Sequence, residues 1–384
     1  MRILAISLLL LGFLHGCKRA DVIHSRKLDC NYTDSSSKKA VYDAIVRKYV
    51  QKGLPGISLL IHDSAGHYVG SAGYADIEKH VPFTPCHISK AASITKLLVG
   101  TLTLKLQEMG KINIDDPVSK YIDAGILKKI DEAEGKTIKQ LMNHTTGIYD
   151  VITDDEFYLA VLNNPNHRWT QEELLKYVYG KKAYTLGQPY GAYYSNTNTL
   201  LLSMCIEKAT GRSHADLLHE LILKPNGMVN TYYQGHDQLP ADAAQGYYDL
   251  HNNGTLSNVS NLITGSGNGY GGVFSNVFDL YTFYTNLLRY KTILSQASLD
   301  IMQQFVQEDD DFYTGVGMVK RFTHKSAYGI GHNGRDLGYN ANLYYFPAKN
   351  AWLVFFVNYG TNGSSRLKQT FFDFENEVVD AMLQ

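Results

Sequence analysis

Ala91-Ala92-Ser93-Ile94-Thr95-Lys96-Leu97-Leu98-Val99 is the stretch whose reading decides the fold. A serine and a lysine three residues apart share one face when the segment is helical. The spacing alone carries little weight, because Ser35 with Lys38, Ser36 with Lys39 and Ser365 with Lys368 repeat it. Ser93 differs in its surroundings. Two small residues precede it and an apolar run follows, which puts it at the start of a buried helix. There the free N–H groups and the positive end of the helix dipole favour negative charge, as a nucleophilic serine and an oxyanion both require. Lys96, one turn further in, would be stripped of water, and burial lowers a lysine pKa toward the range where it accepts a proton. A capping serine beside a surface lysine has the same spacing, so the pair needs support from elsewhere in the chain.

Outward from this segment, helical spacing runs from Lys38 to Val50, and Gly56–His62 and His67–Ala75 read as two strands turned at Ser64-Ala65-Gly66. Ser93 to Met109 reads as a helix stopped by Gly110. A helix-rich stretch follows to about residue 235, punctuated by a capping box at Thr170 and Glu173, a stop at Gly211 and a cap at Ser213. Near the C-terminus Tyr328–Gly334, Asn340–Phe346 and Ala351–Tyr359 read as strands and Ser364–Leu383 as a closing helix. Strands at both ends with helices between them predict an α+β fold in which an antiparallel sheet is assembled from both termini. The expected division is a signal peptide over 1–16, a Ser-rich tether over 17–37, an α/β lobe over 38–100 and 265–384, and a helix-rich inserted lobe over 101–264.

Further segments then make the pattern specific. Tyr194-Ser195-Asn196 follows Gly187-Gln188-Pro189; Asp115-Asp116-Pro117 and Leu141-Met142-Asn143-His144-Thr145-Thr146-Gly147-Ile148 lie before it. Gly269-Tyr270-Gly271-Gly272-Val273-Phe274-Ser275 precedes a helix containing Asp279, and His332-Asn333-Gly334 falls in a C-terminal strand. With these residues in this order, the chain resembles the serine β-lactamase and D-alanyl-D-alanine carboxypeptidase superfamily over residues 38 to 383, particularly its class C and R-type peptidase branch. The resemblance implies a β-lactamase/transpeptidase-like fold. It also assigns roles: Ser93 as nucleophile, Lys96 and Tyr194 as its proton-handling partners, and Asn196 as donor to a substrate amide carbonyl. His332, Asn333 and Gly334 stand where relatives have K-T-G or H-x-G and would bind substrate, with Arg335 giving the second oxyanion N–H beside that of Ser93. His332 is mostly neutral near pH 7, so it would grip a carboxylate less firmly than a lysine does. Which of Lys96 and Tyr194 is the base stays open. His144 and the glycine-rich segment read as structural. Tyr194 is one of 28 tyrosines, most of which serve as packing rings, so only its Y-x-N context singles it out.

Composition bounds the rest. A hydrophobic fraction of 44% and a charged fraction of 19% are those of an ordinary folded protein. The formal net charge of −1 and the absence of long Lys/Arg runs give no electrostatic attraction for nucleic acid. No His-Glu-x-x-His or C-x-x-C spacing occurs, and the expected chemistry needs neither metal nor organic cofactor. Arg2, the apolar run Ile3–Leu14 and Gly16 form an export signal too short to span a bilayer comfortably. Leu14-His15-Gly16-Cys17 resembles a bacterial lipobox, so Cys17 is the expected lipidation site and the expected location is periplasmic, anchored by lipid to a bacterial membrane, with simple secretion as the alternative. Cys205 lies in an apolar run, and a Cys30–Cys86 bridge is left open by the sequence.

The expected function is a serine hydrolase working through an acyl-enzyme. A D-alanyl-D-alanine carboxypeptidase-like or D-amino-acid peptidase activity comes first, with peptidoglycan as neighbour. An esterase or β-lactamase on the same site is the alternative, so the partners are a small peptide, an ester or a β-lactam. A protein that binds peptidoglycan or a partner without turnover is the reading from a different class.

Overall fold

The computed structural model describes residues 32–187 and 189–384. The export segment, the Cys17 lipidation site and Cys30 lie outside the described residues. Among those described, no helix is long and apolar enough to cross a membrane.

Nine antiparallel strands form the main sheet. Across it run Val81–Pro82, Gly66–Asp76, Gly56–Asp63, Ala351–Val357, Tyr339–Phe346, Gly329–Asp336, Val319–Arg321, Tyr313–Thr314 and Val306–Gln307. The N-terminal hairpin and the C-terminal strands meet where Ile57 pairs with Val357 and His62 with Trp352. The sheet is therefore closed from both ends of the chain. Strand alternation sorts its side chains between two cores. Leu353, Phe355 and Val357 face Phe374 and Val378 of the closing helix Lys368–Leu383 and Tyr42 of the helix Lys39–Gln51. Val354 and Phe356 face the opposite way, into a core shared with the helix Ile94–Glu108. Covered on both faces, Ala351–Val357 is buried at every position, which accounts for its unbroken apolar run.

The helix after Ser93 is buried on nearly all sides, from Ile94 to Leu104. Its polar Thr101 and Thr103 hydroxyls donate to the carbonyls of Leu97 and Val99, each at 2.8 Å. Gly100 permits the chain at Gly317 to pass so closely that a Cβ there would lie 2.8 Å from Gly317 Cα.

Residues 35–37, assigned to the tether by composition, are fastened to the body: Ser35 N donates to the His67 carbonyl at 2.8 Å and Ser37 N to that of Ala65 at 2.9 Å. The hairpin leaves those carbonyls unpaired, and the serine segment satisfies them. The helix-rich stretch before residue 265 also contributes short strands. Tyr232–Tyr233 pairs with Val273–Ser275, which also pairs with Ser89–Ala92, and Gln245 N donates to the Ala75 carbonyl at 2.7 Å. One apolar core runs through both regions. Cys205 is a free buried thiol, and Cys86 is disulfide-bonded.

Candidate active site

Ser93 sits at the first turn of its helix with φ −66° and ψ −8°, and its side chain makes no capping bond. The residue before it is unusual. Ala92 has φ +46°, left-handed for a residue that carries a Cβ. Such a conformation costs about 1–3 kcal/mol and persists where its surroundings over-determine it. Here Thr95 Oγ1 donates to the Ala92 carbonyl at 2.6 Å and accepts from Val273 N at 3.0 Å, pinning the turn to the adjacent strand.

Lys96 Nζ is the hub. It donates to Ser93 Oγ at 3.1 Å, to Asn196 Oδ1 at 2.7 Å and to the Tyr270 carbonyl at 2.7 Å. The side chain is fully enclosed, which rules out a surface lysine. Burial pushes its pKa down to about 7, against the opposing pull of Asp150 and Asp336. A lysine near 7 exchanges protons with a serine under neutral conditions. Asp150 does not touch Lys96. Its two oxygens accept from Asn196, one from the backbone N at 2.9 Å and the other from Nδ2 at 3.0 Å.

Tyr194 lies against this hub, with Lys96 Nζ 4.9 Å from its ring centroid. The His144 ring stacks on it at 4.4 Å. Burial, followed by the charge of Lys96, holds His144 well below its usual pKa. As a neutral ring it accepts at Nδ1 from Ser195 N at 3.2 Å, so it positions the Tyr194 segment. The Tyr194 hydroxyl is buried and makes no hydrogen bond among the described residues. Burial keeps the phenol protonated, its pKa well above the ordinary value, although the nearby Ser93 hydroxyl opposes the shift.

A cavity of about 730 Å³ opens over Ser93 and Tyr194. One wall is apolar, formed by Ile152, Phe157, Val161 and Leu162. Asn333 and Arg335 border it from the strand Gly329–Asp336. Arg335 is exposed at the rim, its guanidinium 4.9 Å from the Phe372 ring.

The structure brings Ser93, Lys96, Tyr194 and Asn196 together and revises the role expected of His332. The Asn196 oxygen is taken by Lys96 and one Nδ2 hydrogen by Asp150, so the amide supports the lysine, while its second Nδ2 hydrogen stays available on a residue that borders the cavity. His332 is buried and borders, with Lys96 and His144, a small space beneath the main cavity. Burial and the nearby Lys96 charge lower its pKa to about 3, so it is neutral and unsuited to gripping a carboxylate. Gly334 has a role within the protein itself: a Cβ there would stand 2.0 Å from the Ala91 carbonyl, so the glycine lets this strand press against the turn that carries Ser93. Three participants were not singled out by sequence reasoning: Asp150, the Tyr270 carbonyl and Glu308. The first two lie in or beside the motifs around Gly147 and Gly271, whereas nothing local marks Glu308. Among the described residues, no three His, Cys, Asp or Glu side chains are arranged to hold a metal.

A family model described as Beta-lactamase matches residues 42–375. The Staphylococcus aureus (strain MRSA252) protein flp is 30% identical over 208 residues, covering 53% of this chain and 40% of that protein. The chain thus spans less than half the length of that curated relative. A teichoic acid D-alanine hydrolase of Staphylococcus aureus is 26% identical over 261 residues, 68% of this chain and 61% of that one. Among solved structures, a D-stereospecific amidohydrolase from Streptomyces sp. superposes with a TM-score of 0.75 and 26% identity, covering 87% of this chain and 97% of that one. The family match takes in every element that frames the cavity, from the hairpin at Gly56 to the closing helix, and on that ground the chain belongs to the β-lactamase family of serine hydrolases, in the superfamily that includes the penicillin-binding proteins.

Proposed function

We propose that the chain cleaves an amide or ester bond of a D-amino-acid derivative by way of an acyl-enzyme on Ser93. The observation that carries this reading is the 3.1 Å hydrogen bond between Ser93 Oγ and a Lys96 amine whose pKa is about 7. Neutral Lys96 takes the Ser93 proton as Oγ attacks the substrate carbonyl carbon. The oxyanion is received by backbone N–H groups, Ser93 and Arg335 being the expected donors. The Tyr194 phenol, protonated and next to the Ser93 hydroxyl, relays a proton to the leaving amine or alcohol as the carbonyl bond to it breaks. Water then adds to the acyl-enzyme and returns the proton through the same groups. This reading makes Lys96 the base and Tyr194 the relay, because a phenol held well above its ordinary pKa is not an anion at neutral pH.

The D-amino-acid preference rests on the Streptomyces amidohydrolase and the teichoic acid D-alanine hydrolase that the chain resembles. With His332 neutral, a carboxypeptidase reading leaves Arg335 as the sole cation bordering the cavity among the described residues. We place the protein outside the cytoplasm, held by lipid at Cys17; mass spectrometry of the mature N-terminus tests this, and an unmodified residue other than Cys17 overturns it. The activity is tested by comparing D-alanine amide, a D-alanyl-D-alanine peptide, nitrocefin and p-nitrophenyl butyrate, with Ser93→Ala as control. Ser93-dependent release of D-alanine supports the proposal. Ester or β-lactam cleavage alone moves it to the esterase or β-lactamase reading, and a Ser93→Ala protein of undiminished activity refutes the site.

A further inference from the structure

The turn between the edge strand Val306–Gln307 and its neighbour Tyr313–Thr314 carries four consecutive acids, Glu308 to Asp311. Three of them have structural employment. Asp309 Oδ1 accepts from Asp311 N at 2.8 Å, Asp310 from the Tyr190 hydroxyl at 2.7 Å, and Asp311 from Thr323 N at 2.6 Å. Glu308 differs. Its Oε1 accepts from Tyr194 N at 3.1 Å, which fastens the carboxylate to the proton-relay residue, while its Oε2 is buried and has no partner among the described residues. Ser266, buried and bordering the same cavity, also has a hydroxyl without a partner.

An unpaired carboxylate oxygen away from water is costly, and no cation of the described residues forms an ion pair with Glu308. The charges around the cavity are unbalanced in the same sense. Asp150, Asp155, Glu308, Asp309 and Asp336 border it, against the one guanidinium of Arg335. Lys90 neutralises Asp336 at 2.7 Å, and Lys96 answers Asp150 through Asn196. A surplus of negative charge remains, with Glu308 its enclosed member. Burial, with smaller contributions from Asp309 and Asp150, raises the Glu308 pKa to about 7 against the Tyr194 N–H, so the group is ionised only above neutrality.

We infer that Glu308 is the ammonium-binding group of this cavity, so that the substrate carries a free cationic amine and is an amino-acid amide or ester, not an N-acylated peptide. The inference deepens the acyl-transfer proposal and rests on it for the word substrate, but the binding site itself does not need turnover. It is tested on full-length Ser93→Ala protein by calorimetry at pH 8 with D-phenylalaninol, whose ring suits the apolar wall, and with its N-acetyl derivative, which lacks the charge. The amine is expected to bind at least tenfold more tightly than the N-acetyl compound. Adding Glu308→Gln, which keeps the acceptor for Tyr194 N, should abolish that preference and leave the N-acetyl compound unchanged. Should the double variant fail to fold, the pH dependence of the single variant decides: amine affinity should fall as pH drops through about 7, while that of the N-acetyl compound stays flat. Equal binding of both compounds, no binding of either, or a preference untouched by Glu308→Gln or by pH overturns the inference. In the Ser93-competent protein, Glu308→Gln should depress kcat/KM for an amine-bearing amide and spare its N-acetyl analogue. An equal loss on both would make Glu308 a proton-transfer or structural group instead. Absence of all turnover would refute the acyl-transfer reading without touching the binding result.

Discussion

Lys96 and Asp150 act on one another without touching: Asn196 stands between them, accepting from Lys96 at 2.7 Å and donating to Asp150 at 3.0 Å. The carboxylate thereby fixes which way the Asn196 amide points and favours the charged form of the lysine. If neutral Lys96 is the base, kcat/KM rises with pH through about 7. Asp150→Asn should move this acid limb to lower pH by about one unit, because an amide donor would face the Asn196 donor and the ammonium would lose support. A pH–rate profile measures it. A limb that stays in place, or moves up, would show that Lys96 is not the titrating base.

Tyr194→Phe separates chemistry from folding. The hydroxyl makes no close hydrogen bond and its polar neighbour Ser93 keeps Lys96 Nζ as a partner, so its removal leaves no buried group orphaned, and the thermal midpoint should hold or rise slightly. The proton relay disappears, and kcat should fall about 10²- to 10⁴-fold with KM little changed. A variant that unfolds early but retains kcat would make Tyr194 a packing residue.

The fold was largely legible because its main elements announce themselves locally. The hairpin Gly56–Asp76 and the buried strand Ala351–Val357 alternate or run apolar between turn residues, and Gly211, at φ +67°, ends its helix where a left-handed cap is needed. The short strands between Val306 and Arg321 were not legible. They are two or three residues long and exist only through pairing with Gly329–Gly331 and with each other. In the site, Ser93, Lys96 and Tyr194 stood out by motif. Asp150 and Glu308 did not, since each is one acid among 37 and acquires its place from contacts 46 and 114 positions away in the chain. His332 shows a subtler limit. Alternation puts it and Gly334 on one face and Asn333 and Arg335 on the other, but which pair borders the cavity is decided by how Gly334 packs on Ala91, and that is tertiary.

Gly334→Ala should damage both stability and catalysis. The added Cβ would meet the Ala91 carbonyl at 2.0 Å and the Ala92 Cβ at 3.2 Å, and a backbone carbonyl cannot yield without shifting the turn at Ser93. Overpacking of this kind costs about 1–3 kcal/mol, and the same shift would part Ser93 from the strand that carries Arg335. Calorimetric unfolding together with kcat measures both. Native stability with full activity would mean that the two segments have slack the structure does not show.

On the far side of the sheet, the closing helix is anchored by Glu375, which accepts from Arg321 Nη1 at 3.0 Å and from Asn342 Nδ2 at 2.6 Å. Burial alone would raise the Glu375 pKa, but Arg321 more than offsets it and the carboxylate is held below its ordinary 4.5. A depressed carboxylate contributes stability that is present above the unfolded pKa and lost as pH falls through the folded one. The wild-type thermal midpoint should therefore drop as pH is lowered below about 4.5. Glu375→Gln should weaken that dependence, having no carboxylate to protonate at this position. At pH 7 it should destabilise by about 3–5 kcal/mol, because the Arg321 side chain is only 13% exposed and would be left as an uncompensated buried charge. Arg321→Met combined with Glu375→Gln removes both charges, keeps an acceptor for the buried Asn342 amide and should recover much of the loss. A double variant no more stable than Glu375→Gln would mean that the ion pair, and not the avoidance of a lone charge, holds the helix in place.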